Sequence, residues 1–207
     1  MSKRYTSKSH YRETFWKNCV VPVNKLNWLI VAVILFTSSV LSGTVVAELK
    51  PNGLHHQPWI KVQNEFSIEE SLAEARAANK DLVILFEQRG CPYCERLHNE
   101  NFSYSDVTDY MNKYFTFMQI DLRGNRKVKL LDGKTVSEQE FSRTLAVTNT
   151  PTTVFIKQDG KERFRMPGYI EAAFYKAGFQ YVVESGPESG VGFVPWVKAL
   201  IKRSRKK

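Results

Sequence analysis

The sequence predicts an α/β fold, a central mixed β-sheet flanked by helices, set behind a hydrophobic amino-terminal segment. Three observations predict it. The run Leu82-Val83-Ile84-Leu85-Phe86 is apolar on both faces, as a central strand covered by helices must be. Helical stripes opened by capping boxes alternate with strand-like runs between residues 66 and 185. Two cysteines three residues apart, Cys91 and Cys94, follow the apolar run at the start of a helix-compatible stretch. Sites in such sheets lie beyond the carboxyl ends of the central strands, where Cys91 falls.

Each element follows from its residues. Residues 1–25 form a basic leader, and 26–47, without a charged residue, reads as a membrane anchor or signal segment. Residues 48–65, with Pro51, Gly53 and Pro58, read as a spacer. Ser67 with Glu70 caps a helix carrying Ile68, Leu72, Ala75 and Ala78, which leads into strand 82–86. The cysteine helix is expected from Cys91 to about Asn101. Ser105 opens a further helix with Val107, Tyr110, Met111 and Tyr114, and Phe115–Leu122 alternates as a second strand. Residues 123–136, polar and basic, read as an insertion loop. Ser137 with Glu140 caps a helix through Phe141 and Leu145. Thr152–Lys157 and Glu162–Met166 form a hairpin about Asp159-Gly160, and a last helix runs from about Glu171 to Glu184. The domain is bounded at 66–185, and 186–207 is read as a basic, frayed tail that could touch anionic lipid.

The chemistry lies in Cys91-Pro92-Tyr93-Cys94. Residues i and i+3 share a helix face, so the two sulfurs can close a disulfide with little strain. The unpaired N–H groups at a helix amino end favour thiolate over thiol, which makes Cys91 the nucleophile; Cys94, one turn deeper, resolves the mixed disulfide. Pro92, lacking an N–H, suits the first helical turn. Glu87, at the carboxyl end of the strand, is a candidate proton shuttle for the deeper thiol, weighed against an exposed strand-end charge. A zinc or copper site is the competing use of the thiols, with His98 at C-x2-C-x3-H spacing and His55 or His56 completing four ligands. Outside such a site His98 reads as an exposed helix-face imidazole.

The net charge of +9 falls to +4 once residues 1–47 are set aside, and six of the remaining basic residues lie in the last ten positions. No basic face remains for nucleic acid. The leader's Lys3, Arg4, Lys8, Arg12, Lys17 and Lys25 against Glu13 keep the amino terminus cytoplasmic, so everything after Ala47 is expected to be exported to the periplasm, held to the inner membrane or released by cleavage. Cys19 stays with the leader. The exported part then has only the Cys91/Cys94 pair, and bridging neighbours three apart removes little chain entropy, so the pair reads as catalytic rather than as a staple.

These residues resemble the thioredoxin superfamily over about Phe66 to Glu184. The resemblance rests on the strand, the C-P-Y-C helix start, the Thr150-Pro151 step and the hairpin from Lys157 to Tyr169. It implies a cis peptide before Pro151 facing the cysteines, and a cleft in which Thr150, Pro151, Pro92 and Tyr93 bind a substrate strand by its main chain. More narrowly, residues 86–98 with Pro167-Gly168-Tyr169 look like SoxW-type periplasmic thioredoxins, which implies reduction of exported protein disulfides with a membrane thiol reductase as electron donor and no cofactor. Two positions depart from thioredoxins proper: Gly90 stands where a Trp precedes the first cysteine, and Leu85 where a buried acid lies. The functions left open are an exported thiol–disulfide oxidoreductase, a thiol-based metal module, and a non-catalytic thioredoxin-like scaffold.

Overall fold

The computed structural model describes residues 49–205 apart from Pro51 and Val62. The leader and the hydrophobic segment 26–47 lie outside the described residues, as do Lys206 and Lys207. Among the described residues no helix is long and apolar enough to cross a membrane.

Strand β2 (Asp81–Glu87) is the axis of the main sheet, whose other members are β3 (Phe115–Asp121), β6 (Thr152–Ile156) and β7 (Glu162–Pro167), in the order β3-β2-β6-β7. β2 pairs parallel with β3 and antiparallel with β6, and β6 pairs antiparallel with β7 about the Asp159-Gly160 turn. The alternation of side chains along β2 divides the core in two. Leu82, Ile84 and Phe86 meet α1 (Ile68–Ala77) and α4 (Glu138–Thr144) through Leu72, Ala75 and Phe141. Val83 and Leu85 meet the other face, where α2 (Pro92–Asn99), α3 (Ser105–Tyr114) and α5 (Ala172–Val183) bring Leu97, Met111 and Phe179. Phe155 lies at the centre of that layer, edge-on to Phe115 and Phe179.

Both capping boxes form on the amino side: Ser67 Oγ accepts from Glu70 N at 3.3 Å and Ser137 Oγ from Glu140 N at 3.1 Å. Ser105 does not cap. Tyr104 takes that position without a side-chain bond, and Ser105 is the first helical residue. A 3-10 turn, Asn101–Ser103, separates α2 from α3.

Three regions carry more structure than their composition suggests. The polar stretch 123–136, read as a loop, holds β4 (Lys127–Lys129) and the start of β5 (Thr135–Ser137), which join β1 (Glu65–Ser67) in a second sheet of order β1-β4-β5. Glu138 ties that sheet to the main one by accepting from Asp121 N at 2.8 Å and from Arg126 Nη2 at 2.6 Å. A Cβ at position 124 would lie 2.1 Å from Glu138 Oε2 and 2.8 Å from Asp121 Cβ, so a side chain there would displace the Glu138 carboxylate. The tail read as frayed contains α6 (Phe193–Ser204), which seats Trp196 edge-on against Tyr181 of α5. The stretch 48–65, read as a spacer, packs on the domain: Leu54 and Ile60 are buried, and Trp59 stacks edge-on against Phe102 and Phe117.

Candidate active site

The cysteines are held where β2 ends and α2 begins. Gly90 takes φ +70, a left-handed turn that a β-carbon would strain, and delivers Cys91 to the N-cap of α2. Pro92 occupies the first helical position. Cys91 Sγ accepts from Cys94 N at 3.1 Å, using one of the orphan donors of the helix start. The pair forms a disulfide with a Cα–Cα separation of 5.2 Å. Cys91 retains 5% of its surface, whereas Cys94 has none, so an incoming sulfur reaches only the first.

The opposite wall is the loop before β6. The Thr150–Pro151 peptide is cis. Thr150 Oγ1 donates to Cys91 Sγ at 3.3 Å, and the Thr150 carbonyl oxygen lies 3.7 Å from the same sulfur. Gly168 N donates to the Pro151 carbonyl at 2.7 Å, which locks the cis loop to the hairpin. Tyr93 is exposed and stacks on Tyr169 at 6.3 Å between centroids, while the Arg96 guanidinium lies 4.4 Å over the Tyr169 ring. Burial and a hydrogen bond to Glu100 push the Tyr169 hydroxyl up to about 12. These rings make an aromatic lip beside the cysteines.

His98 differs from its reading as an exposed imidazole, and of the two readings of Glu87 the exposed strand-end charge is excluded. Neither is exposed: Glu87 is completely buried and His98 retains 2%. Glu87 shares the β2 face of Val83 and Leu85, directed at α2, and His98 lies one turn beyond Cys94 on the inward face of that helix. His98 Nε2 and Glu87 Oε1 are 2.7 Å apart. Gln57 Nε2, a donor, meets His98 Nδ1 at 3.3 Å, which leaves the ring proton on Nε2 for the carboxylate. Gln119, paired with Leu85 across β2 and β3, donates to the other Glu87 oxygen. A buried polar cluster therefore lies beneath the active-site helix, although the acid position of thioredoxins proper holds Leu85. The i, i+4 spacing of Cys94 and His98, read with the period-2 face of β2, was the signal for it.

The metal alternative does not assemble. Among the described residues no group of three or more His, Cys, Asp or Glu side chains converges to hold an ion. His98, its proposed third ligand, spends both ring nitrogens on Glu87 and Gln57.

His55 stands at the edge of the cluster. Its ring is 5.2 Å from that of His98, and burial, followed by the neighbouring His98, lowers its pKa from 6.5 against weaker pulls from Glu87 and Glu95. A histidine whose folded pKa is depressed contributes stability above its unfolded pKa and loses it as pH falls, because the unfolded chain takes the proton first. The unfolding midpoint should therefore drop as pH falls below about 6.5, more steeply in the parent chain than in His55→Asn; parallel curves in urea titrations would contradict this.

No curated protein matches the chain in sequence. Among solved structures it is similar to a thioredoxin-fold protein from Helicobacter pylori, at 21% identity and a TM-score of 0.54, over 62% of this chain and 86% of that one. It is also similar to a thioredoxin from Thermus thermophilus (24%, TM-score 0.48, 63% and 95%) and a disulphide isomerase from Xylella fastidiosa Temecula1 (17%, TM-score 0.44, 56% and 88%). The family profile described as a thioredoxin-like domain matches residues 68–182, more than half of the sequence and all four strands of the main sheet. With a cysteine pair at disulfide distance on the first turn of α2, the chain belongs to the thioredoxin-like domain family.

Proposed function

We propose that the protein is an exported thiol–disulfide oxidoreductase that reduces disulfides of exported proteins, or passes electrons along a periplasmic thiol relay, through Cys91 and Cys94. Fold alone does not assign function, so the reading rests on the site. One observation carries it: Cys91 Sγ meets the N–H of Cys94 at 3.1 Å and the Thr150 carbonyl at 3.7 Å, so the reachable sulfur combines a thiolate-stabilising donor with a main-chain docking edge. The Cys91 thiolate attacks a substrate sulfur, and Cys94 then attacks Cys91 and releases the reduced substrate. Thr150 and Pro151 align the substrate strand, Pro92 and Tyr93 border it, and the Glu87–His98 pair accepts the Cys94 proton.

The segment 26–47 supports an inner-membrane location, and the likeness of residues 86–98 to SoxW-type thioredoxins supports a membrane thiol reductase as electron donor. Incubating the pre-reduced chain with a protein disulfide tests the reading. Stoichiometric thiol transfer, with a measured reduction potential near the reducing end of the roughly −270 to −120 mV span of such proteins, is expected. A pair that transfers no electrons to any disulfide would end the proposal.

A further inference from the structure

The segment from Lys50 to Trp59 lies outside the family match at 68–182, yet it is bound to the active site on three sides. Lys50 Nζ donates to Gln119 Oε1 at 2.6 Å, and Gln119 Nε2 donates to the His55 carbonyl at 2.9 Å. Gln57 meets His98 Nδ1 at 3.3 Å, and Arg89 Nε donates to the Asn52 carbonyl at 3.2 Å. Buried Leu54 and Ile60 fasten the strap between these contacts. The strap closes the Glu87–His98 pair from solvent and also walls a cleft of about 430 Å3 that contains Cys91, with His55, Arg89 and Glu95 on its lining. His55 is the residue common to both: its ring neighbours His98 on one side and the Cys91 cleft on the other. Among the described residues its Nδ1 is buried with no hydrogen-bond partner, which leaves that nitrogen open to a proton.

We propose that His55 is a proton-relay residue linking the buried Glu87–His98 pair to the Cys91 cleft, which makes the strap a working part of the active site. The inference rests on the thiol–disulfide reading above. In the resolving step Cys94 loses its thiol proton and its sulfur attacks Cys91. The Cys91–Cys94 bond forms as the bond from Cys91 to the substrate sulfur breaks, and the electron pair leaves on the substrate sulfur. One proton is released on the buried side and one is taken up in the cleft when the leaving sulfur is basic, so a path between the two would balance that step without exchange with bulk solvent. The Glu87–His98 pair lies beneath α2, whose first turn carries Cys94, and His55 lines the cleft. Burial, followed by the neighbouring His98, lowers the His55 pKa and so favours its neutral ring. Its charge is set by burial first, then by His98 from α2, Glu87 from β2 and Glu95 from α2; Arg89 lines the same cleft and Lys50 lies beside Gln119.

The test uses leaving groups of different acidity on the full chain. Cys91 is loaded as a mixed disulfide with cysteamine, a weakly acidic thiol, or with thionitrobenzoate, an acidic thiol that departs unprotonated, and release by Cys94 is followed from about pH 5 to 9. His55→Asn should slow cysteamine release about 10²-fold near pH 7, flatten its pH profile and regain rate with added imidazole, while thionitrobenzoate release stays within about threefold. His55→Gln serves as the second variant. Equal slowing of both leaving groups would reduce His55 to a structural role, and no slowing of either would remove it from the reaction; both outcomes overturn the relay. If the parent chain itself forms or resolves no mixed disulfide, the oxidoreductase reading fails instead.

Discussion

Replacing Cys94 with serine should trap substrate on Cys91, whereas Cys91→Ser should give no covalent complex and no turnover. The asymmetry follows from exposure. Cys91 keeps an open edge in the cleft while Cys94 is wholly covered, so only the first can meet a foreign sulfur and only the second can displace it from within. The Cys91 sulfur sits at the N-cap of α2, where the helix amino end favours its thiolate. Intramolecular attack by Cys94 benefits from an effective concentration far above that of external thiol. Cys94→Ser should therefore lower turnover by about 10²-fold or more while mixed disulfides accumulate. Mass spectrometry after acid quenching reads both outcomes. Trapping at position 94 in Cys91→Ser would reverse the assigned roles.

Removing His98 should destabilise the polar core strongly. His98→Leu leaves the Glu87 carboxyl fully buried with Gln119 as its remaining donor, and breaking a buried pair in this way costs about 3–5 kcal/mol of unfolding free energy. Replacing both members, Glu87→Leu with His98→Leu, should cost less than the single change, because the desolvated carboxyl goes with its partner. Urea denaturation of the oxidised chains checks the order. A double loss equal to the sum of the singles would mean that the two groups do not interact.

The main sheet and its helices were legible because their signals are local. Ser67 and Ser137 announce helix starts by side-chain bonds within three residues, and the apolar run at 82–86 needs no distant partner to read as a central strand. What escaped depends on pairs far apart in sequence. β1 and β4 are three residues each and exist because Phe66 registers with Val128, too short a pattern for any periodicity to show. In the strap, Pro58 and Gly53 gave the composition of a spacer, and only the contacts of Leu54, Trp59 and Ile60 with the sheet layer reveal otherwise. The stripe Phe193, Trp196, Val197 and Leu200 was present in the tail but interleaved with the basic residues that suggested fraying. In the site, Cys91, Cys94 and their neighbours follow from a contiguous motif. The Glu87–His98 pair requires knowing that α2 folds back across β2.

When the pair is reduced, the Cys91 sulfur at the N-cap of α2 should be a thiolate near neutral pH. Thiolate absorbance of the reduced chain, followed from acid to alkali with Cys91→Ser as the reference, measures it directly. An inflection well below the value of about 8.5 for a free cysteine, lost in Cys91→Ser, is the result expected. An inflection at or above that value, with the same curve in the variant, would contradict it.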